Sequence, residues 1–422
     1  MTSEVAIIVI AGAVFAVVSV SGRLYRAWLT EPLVAMVFGI LLAAFFEEPI
    51  DLEGEMGLNF LELTLALVLF ADAARIDLAK LRHDYAWPTR MLLIGIPLAV
   101  AGGAAAGALI LGAGLGMAFL IGVVLSPTDA ALAEPVLETE SLPVRIRQTL
   151  NIESGLNDGL ALPALVVAVG IIQTEIGTDG GGAFAVVLRQ VGFGLGGGLL
   201  FGYIGAFIIG RGTRRGWMSP LHQKIAAVAL ALLAFASVQL VGGSGFVATF
   251  VAGAALGARV RPRMDYLYEF AHTEGRSLVL IAFVLVGAGP VREIAEAGVE
   301  PRVWALALLS VFIIRPLAII ISLIGQKLML STAAFLGWFG PRGLATIVFM
   351  LVAFDELGDM PRGLFEVAVL TVALSVVLHG VSATPLSNWL TARLARHEDE
   401  SMPEMGGAFE HPTRAATPPT PD

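Results

Sequence analysis

NIESGLNDGLALP, at residues 151–163, puts Glu153 and Asp158 into a segment that continues as ALVVAVGII with no further charge. In water that mixture would be unremarkable. In a chain this apolar it is a problem, because a charged carboxylate at the centre of a bilayer costs roughly 2.5–3.5 kcal/mol on insertion scales. Two such groups are not kept for packing. Each needs a partner, a proton or an ion.

The setting is a membrane. The 422 residues are 57% hydrophobic and 14% charged, against roughly 25% charged in a soluble protein. One water-soluble core cannot hide so much apolar surface. The net charge of −9 argues against a nucleic-acid partner. The absence of cysteine excludes disulfides, thiolate metal sites and Cys nucleophiles. No Ser/His/Asp arrangement or metal-ligand spacing points to an enzyme. The N-terminal MTSEVAIIVIAG carries Glu4 where a signal peptide carries Lys or Arg, so it reads as a retained span.

Taking about 20 apolar residues per crossing, thirteen spans are expected, near 4–20, 30–46, 57–76, 90–112, 115–139, 146–172, 183–210, 222–241, 244–259, 275–291, 303–325, 331–353 and 364–390. The runs are too long and too evenly apolar for barrel strands. Loops after odd-numbered spans are basic: Arg23 and Arg26, Arg145 and Arg147, Arg211 to Arg215, Arg259 to Arg263. Loops after even-numbered spans are acidic or short, as in EEPIDLEGE. Positive charge marks the cytoplasmic side, so the N-terminus is expected outside and the C-terminus in the cytoplasm. From 397 the chain turns polar and Pro-rich. A transmembrane domain over 1–396 and a disordered cytoplasmic tail over 397–422 are expected.

Spans five and twelve carry breaks. SPTDAAL places Pro127 beside Thr128 and Asp129, and GWFGPRGL places Pro341 and Arg342 among glycines. Proline removes an N–H and crowds the carbonyl four residues back. If spans 1–6 and 8–13 are two repeats joined by span 7, five and twelve are counterparts and the second repeat is inverted. Paired interrupted helices of this kind point to a midplane ion site in secondary transporters. Ordinary proline kinks are the bland alternative.

On a helix Ser154 lies under Asp158, and Glu153 under Asn157. Arg315 in span eleven is the expected partner of Glu153, with Arg342 as an alternative, and Asp129 could counter either arginine. Asp158 is then left to bind a cation or a proton in turn. Asp158, the Ser154 hydroxyl, Thr128 and carbonyls freed at the break offer the hard oxygen ligands that suit Na+ or Li+. Asp72 lies toward the inner end of span three.

SPTDAAL, NIESGLNDGLALP, the Arg315-Pro316 pair and GWFGPRGL together resemble the monovalent cation:proton antiporter-1 family, the sodium/proton antiporters of the NhaP and NHE type, over about residues 5–395. The resemblance implies an all-α membrane fold with two crossing broken helices, a core and dimerisation helices, and a homodimer. It implies electroneutral exchange of one Na+, or Li+ or K+, for one proton, with no cofactor. In that family the Asn-Asp pair falls on Asn157 and Asp158, with the Asp as carrier. The Thr-Asp of the broken helix falls on Thr128 and Asp129, and the Glu-Ser on Glu153 and Ser154. The span-three acid, often Glu in such proteins, is Asp72. A cation-coupled symporter of a small anion is the competing reading, with Arg342 as its spare cationic group.

Other features read more plainly. The glycine-rich span seven implies close helix packing, with a dimer contact as the weaker alternative. His379 could relay protons but a packed, hydrogen-bonded role is the default. His272, Glu274 and Arg276 read as interfacial charges, with a cytoplasmic pH sensor as the weaker alternative. For Glu62 and Glu134 a solvated role is the default, with a place in the outer and inner funnels as the alternative. Trp28, Trp87, Trp217 and Trp304 are placed as interfacial anchors.

Overall fold

The structure, a computed structural model, describes residues 11–19, 30–43, 54–75, 86–177, 183–260, 275–358, 360–396 and 403–405. Among them every regular element is helical. Residues 11–19 form α1. Next come α2 (Glu31–Ala43), α3 (Glu55–Arg75) and α4 (Ala86–Leu111). α5 is split into α5a (Leu115–Val124) and α5b (Ala130–Leu137). α6 (Val144–Glu175), α7 (Ala183–Arg214), α8 (Pro220–Leu240) and α9 (Gly245–Val260) follow. Then come α10 (Arg276–Ala297) and α11 (Pro301–Ser322). α12 is split into α12a (Leu330–Trp338) and α12b (Leu344–Leu357), and α13 is Arg362–Ala395.

Eight of these, α3, α4, α6, α7, α8, α10, α11 and α13, are long and apolar enough to cross a membrane by length and composition. Shorter apolar helices lie at Glu31–Leu41, Leu115–Val124 and Gly245–Val260. Several helices outrun the expected apolar spans: α6 reaches from Val144 to Glu175 rather than 146–172, and α13 ends at Ala395 rather than 390. Hydropathy marks the part immersed in hydrocarbon. Backbone hydrogen bonding does not stop at that boundary.

The packing has an internal repeat. α3 packs on α9 as α10 packs on α2; α4 meets α5a as α11 meets α12a; α6 meets α9 as α13 meets α2. Adding seven to an element's number, or subtracting it, turns one contact into the other. Seven is odd, so counterparts run in opposite directions when each element crosses. Contacts between helix ends fit the same alternation. Arg276 at the start of α10 joins Glu31 at the start of α2 and Glu134 in α5b, each at 2.8 Å. Arg90, early in α4, donates to the Ser322 and Ile324 carbonyls at the end of α11. At the opposite end the Gly116 N–H of α5a meets Glu175 of α6 at 3.2 Å.

Small residues set the interhelical distances. A Cβ at Gly253 or Gly257 of α9 would lie 2.3 or 2.2 Å from the Phe70 or Ala74 carbonyl oxygen of α3. Glycine spaced by four lets two backbones touch. Several glycines of α7 pack inward, Gly198 and Gly202 on α9 and Gly205 on Leu230 of α8. These serve the close helix packing expected of them. Trp87 corrects another expectation: it is buried, with the Arg145 guanidinium 4.5 Å from its ring centre. Trp217 and Trp304 are exposed. Trp28, His272 and Glu274 lie outside the described residues.

In the tail, Pro403–Met405 form a short turn docked on the helices. Arg145 donates to the Pro403 carbonyl at 2.8 Å, and the buried Glu404 accepts the Met329 N–H that precedes α12a at 2.7 Å. These residues differ from the wholly unstructured tail expected. A carboxylate here satisfies one of the first N–H groups of α12a.

Gly253→Ala should lower the thermal midpoint in detergent, by the equivalent of about 1–3 kcal/mol, since the added methyl meets backbone that cannot give way. Gly196→Ala in α7, where a Cβ meets nothing within 4 Å, should stay within about 0.5 kcal/mol of wild type. Equal losses in a parallel melting experiment would show that close backbone approach does not hold α3 to α9.

Candidate functional site

Two broken helices leave backbone groups without helical partners, and hydrocarbon offers no water to replace them. α5 stops at Val124 and restarts at Ala130. α12 stops at Trp338 and restarts at Leu344. The two breaks touch: the Asp129 N–H donates to the Pro341 carbonyl at 2.7 Å.

Asp129 is the N-cap of α5b, accepting the Ala131 N–H on Oδ1 at 2.8 Å. Its other oxygen accepts the Leu344 N–H at 3.1 Å, at the first residue of α12b. One carboxylate thus sits at the N-termini of two half-helices, where the helix dipole is positive. Sequence reasoning offered Asp129 as an ion ligand or a counter-charge to an arginine; here it meets backbone N–H groups.

Arg342 is the converse. Its Nε donates to the Leu125 carbonyl at 2.9 Å, just past α5a, and its Nη1 to the Gly340 carbonyl at 3.1 Å, just past α12a. Nη2 reaches Ser310 of α11, the first residue of the wide π-helical turn Ser310–Ile314. This cation lies at the negative ends of the other two half-helices. As the alternative partner of Glu153 it is therefore spent elsewhere.

Glu153 meets Arg315. Nη2 lies 3.1 Å from both carboxylate oxygens, and both side chains are buried. Thr128 donates to Glu153 at 3.3 Å. The Asn157 amide donates to the Thr128 hydroxyl and, at 3.4 Å, to Glu153. The face expected from the spacing of α6 thus carries Glu153 and Asn157 against the break of α5. Asn157 Oδ1 is buried and makes no hydrogen bond among the described residues, a costly state for an acceptor.

Asp158 is 7% exposed. Ser154, one turn earlier, donates to the Leu150 carbonyl at 2.8 Å. On the far side of Asp158 a cavity of about 640 Å³ opens between α3, α6, α7, α9 and α12b. From α6 it is lined by Leu162, Leu165, Val166 and Val169. Those residues continue the helical stripe that begins at Asp158. Glu62, Arg189, Asp355 and Glu356 line it further out. Asp72 of α3 is buried, with Arg75 at 2.5 Å one turn on. Among the described residues no three His, Asp or Glu side chains gather to hold a metal ion.

Glycine makes this geometry possible at two points. A Cβ at Gly340 would fall 1.6 Å from Arg315 Nε, and one at Gly343 would fall 2.1 Å from Asp129 Oδ2. The sequence showed these glycines as helix breakers. Their second use, as gaps for side chains of other helices, could not be read there. Ser310 and Ser375, which meet Arg342, were missed as well, since a serine in an apolar helix has no distinguishing signal.

The model of the family described as "Sodium/hydrogen exchanger, transmembrane" matches residues 7–389. The K(+)/H(+) antiporter NhaP of Alkalimonas amylolytica is 27% identical over 351 residues, 81% of this chain and 59% of that protein. The Na(+)/H(+) antiporter NhaS2 of a Synechocystis strain is 27% identical over 325 residues, 73% of this chain and 57% of that protein. The chain therefore spans a little under three fifths of the length of these relatives. The solved sodium proton antiporter MjNhaP1 from Methanocaldococcus jannaschii shares its fold with a TM-score of 0.73 at 19% identity, over 93% of this chain and all of that one.

Glu153→Gln or Arg315→Gln alone should destabilise by about 3–5 kcal/mol, because each leaves a buried charge without its partner. The double replacement should recover a good part of that loss. Thermal unfolding of the two singles and the double tests it; additive losses, or coupling of Glu153 to Arg342 alone, would mean that the pair is wrongly chosen.

Proposed function

Because this chain belongs to the sodium/hydrogen exchanger family, we propose that it exchanges a monovalent cation for a proton across the membrane, with Asp158 holding each in turn. The observation that carries this is the stripe on α6. Asp158 stands at its foot, one turn below the Leu162 that lines the cavity, and beside the crossing of two broken helices. Half-helix ends at a crossing give an ion site without a dedicated cage of charges.

The charges divide the work. Asp129 and Arg342 answer the four half-helix ends. Glu153 is matched by Arg315. In this reading Asp158 is the group whose charge changes during a cycle. One carboxylate neutralised by one cation, or by one proton, gives one-for-one and electroneutral exchange. Asn157 supports the same reading: as a neutral amide it donates to Thr128 and Glu153 without adding a second acid. Asp158, Thr128 and Ser154 are the oxygen ligands proposed for the cation, whether Na+, K+ or Li+.

The cavity lies at the end where α6 finishes, while Arg276 ties α10 to α2 and α5b at the other end. This supports a conformer open on one side of an alternating-access cycle. By the charge of the loops, the open side is the outside, with the N-terminus there, the C-terminus in the cytoplasm and the chain in the cell membrane as a homodimer. The symporter reading loses ground, since Arg342 is bonded to carbonyls of two broken helices and is not turned to a substrate.

Asp158→Asn keeps the size and removes the charge, so cation-driven proton flux in everted vesicles should vanish with Na+, K+ and Li+ alike, while the protein still folds. Flux near the wild-type rate would sink the assignment. Asn157→Asp should impair transport without creating two-proton exchange, because the second acid removes a donor from Glu153 and stands beside a like charge. Robust membrane-potential generation by that variant would overturn the division of charges.

A further inference from the structure

His379 of α13 is buried inside the domain, and among the described residues its hydrogen bonds go to Ser375 and Trp338. Its neighbours are the broken backbone of α12. Nε2 lies 2.8 Å from the Trp338 carbonyl, the last residue of α12a. Nδ1 lies 2.8 Å from the Ser375 carbonyl and 3.1 Å from the Ser375 hydroxyl, one turn earlier. That hydroxyl also accepts the Arg342 N–H at 2.7 Å. A neutral ring carries one N–H and each nitrogen faces a carbonyl, so the tautomer decides which carbonyl is served. The Nε2–H form is the one that ties the ring to α12: it donates to the Trp338 carbonyl, and the Ser375 hydroxyl donates to Nδ1 while accepting from Arg342. The Trp338 ring stacks on the imidazole at 5.0 Å, and the Trp338 indole N–H donates to Ser382 of the same helix.

The backbone of the break can be followed group by group. The Gly340 N–H returns to the Trp338 carbonyl, and the Pro341 carbonyl accepts from Asp129. Leu344 donates to Asp129, and the Gly340 carbonyl accepts from Arg342. The Arg342 N–H and a second bond to the Trp338 carbonyl come from α13, through Ser375 and His379. Between these two anchor points lies Gly340, over which Arg315 passes to reach Glu153. A shift of the break by a few tenths of an ångström therefore moves both arginines.

We propose that His379 and Ser375 form a splint that fixes the break of α12 and so positions Arg342 and Arg315 at the ion site, and that His379 acts as a positioning residue which carries no transported proton. The functional half of this rests on the exchange reading. It is tested in proteoliposomes by cation-driven proton flux over a range of Na+ or K+ concentrations and pH values, and in detergent by thermal unfolding. His379→Leu should raise the half-saturating cation concentration about tenfold, the order that one buried hydrogen bond left unmade supports, with the shape of the pH profile kept. Ser375→Ala should shift it in the same direction, and serves if the leucine variant does not fold. His379→Gln, which keeps a donor near the position of Nε2, should return it to within about twofold of wild type. In unfolding, His379→Leu and Ser375→Ala should be non-additive, as groups of one network are. A folded His379→Gln protein that is inactive, or whose pH profile is flattened, would make the ring a proton carrier and overturn the proposal. Unchanged half-saturation in His379→Leu would reduce it to packing and overturn it too. A wild type without flux for any cation would defeat the exchange reading instead, and additive unfolding losses would still defeat the splint.

Discussion

A helix interrupted inside a membrane must find protein partners for every backbone group it frees, because hydrocarbon supplies none. That requirement shapes this structure more than any single charge. Two helices break where they cross, and freed groups are answered by side chains from three helices: Asp129 on α5, Arg342 on α12 and Ser375 with His379 on α13. The breaks cannot move independently, since Asp129 donates its own N–H to the other break.

The charges at the crossing follow from the same constraint. Partial positive ends of α5b and α12b face one aspartate, and partial negative ends beyond α5a and α12a face one arginine. Each repeat contributes one of the two groups, and each group serves both repeats. Glu153 is held by Arg315. In the proposed exchange, the charge on Asp158 is the quantity that a cation or proton changes.

The helix boundaries, the two breaks and the Glu153–Arg315 contact were legible in the sequence, because each leaves a residue-level mark: a long apolar run, a proline among glycines, an ionisable group where none is tolerated. What was not legible shares a different property. Arg342 and Asp129 bond to backbone, and a carbonyl or an amide carries no signature in the sequence. Leu125 and Arg342 are separated by 217 positions, and only the fold makes them neighbours. Trp87 was misplaced for a related reason. Its position near a span end fits an anchor, but α4 packs on α6 there and Arg145 covers the ring.

The two breaks differ in composition, and the difference explains why the repeats are not interchangeable. SPTDAAL in α5 contains no glycine and ends in groups that reach outward: Thr128 to Glu153, and Asp129 to α12b. GWFGPRGL in α12 has glycine on both sides of Pro341-Arg342, at the two places where a Cβ would collide with Arg315 and with Asp129. One break supplies Thr128 and Asp129; the other supplies Arg342 and also the room into which side chains from α11 and α5 are inserted. Two identical breaks could not do this. Two like SPTDAAL would crowd each other, and two like GWFGPRGL would leave the N-termini of α5b and α12b without a carboxylate. Complementary breaks also account for the position of the Glu153–Arg315 pair, since Arg315 crosses to α6 through the gap at Gly340.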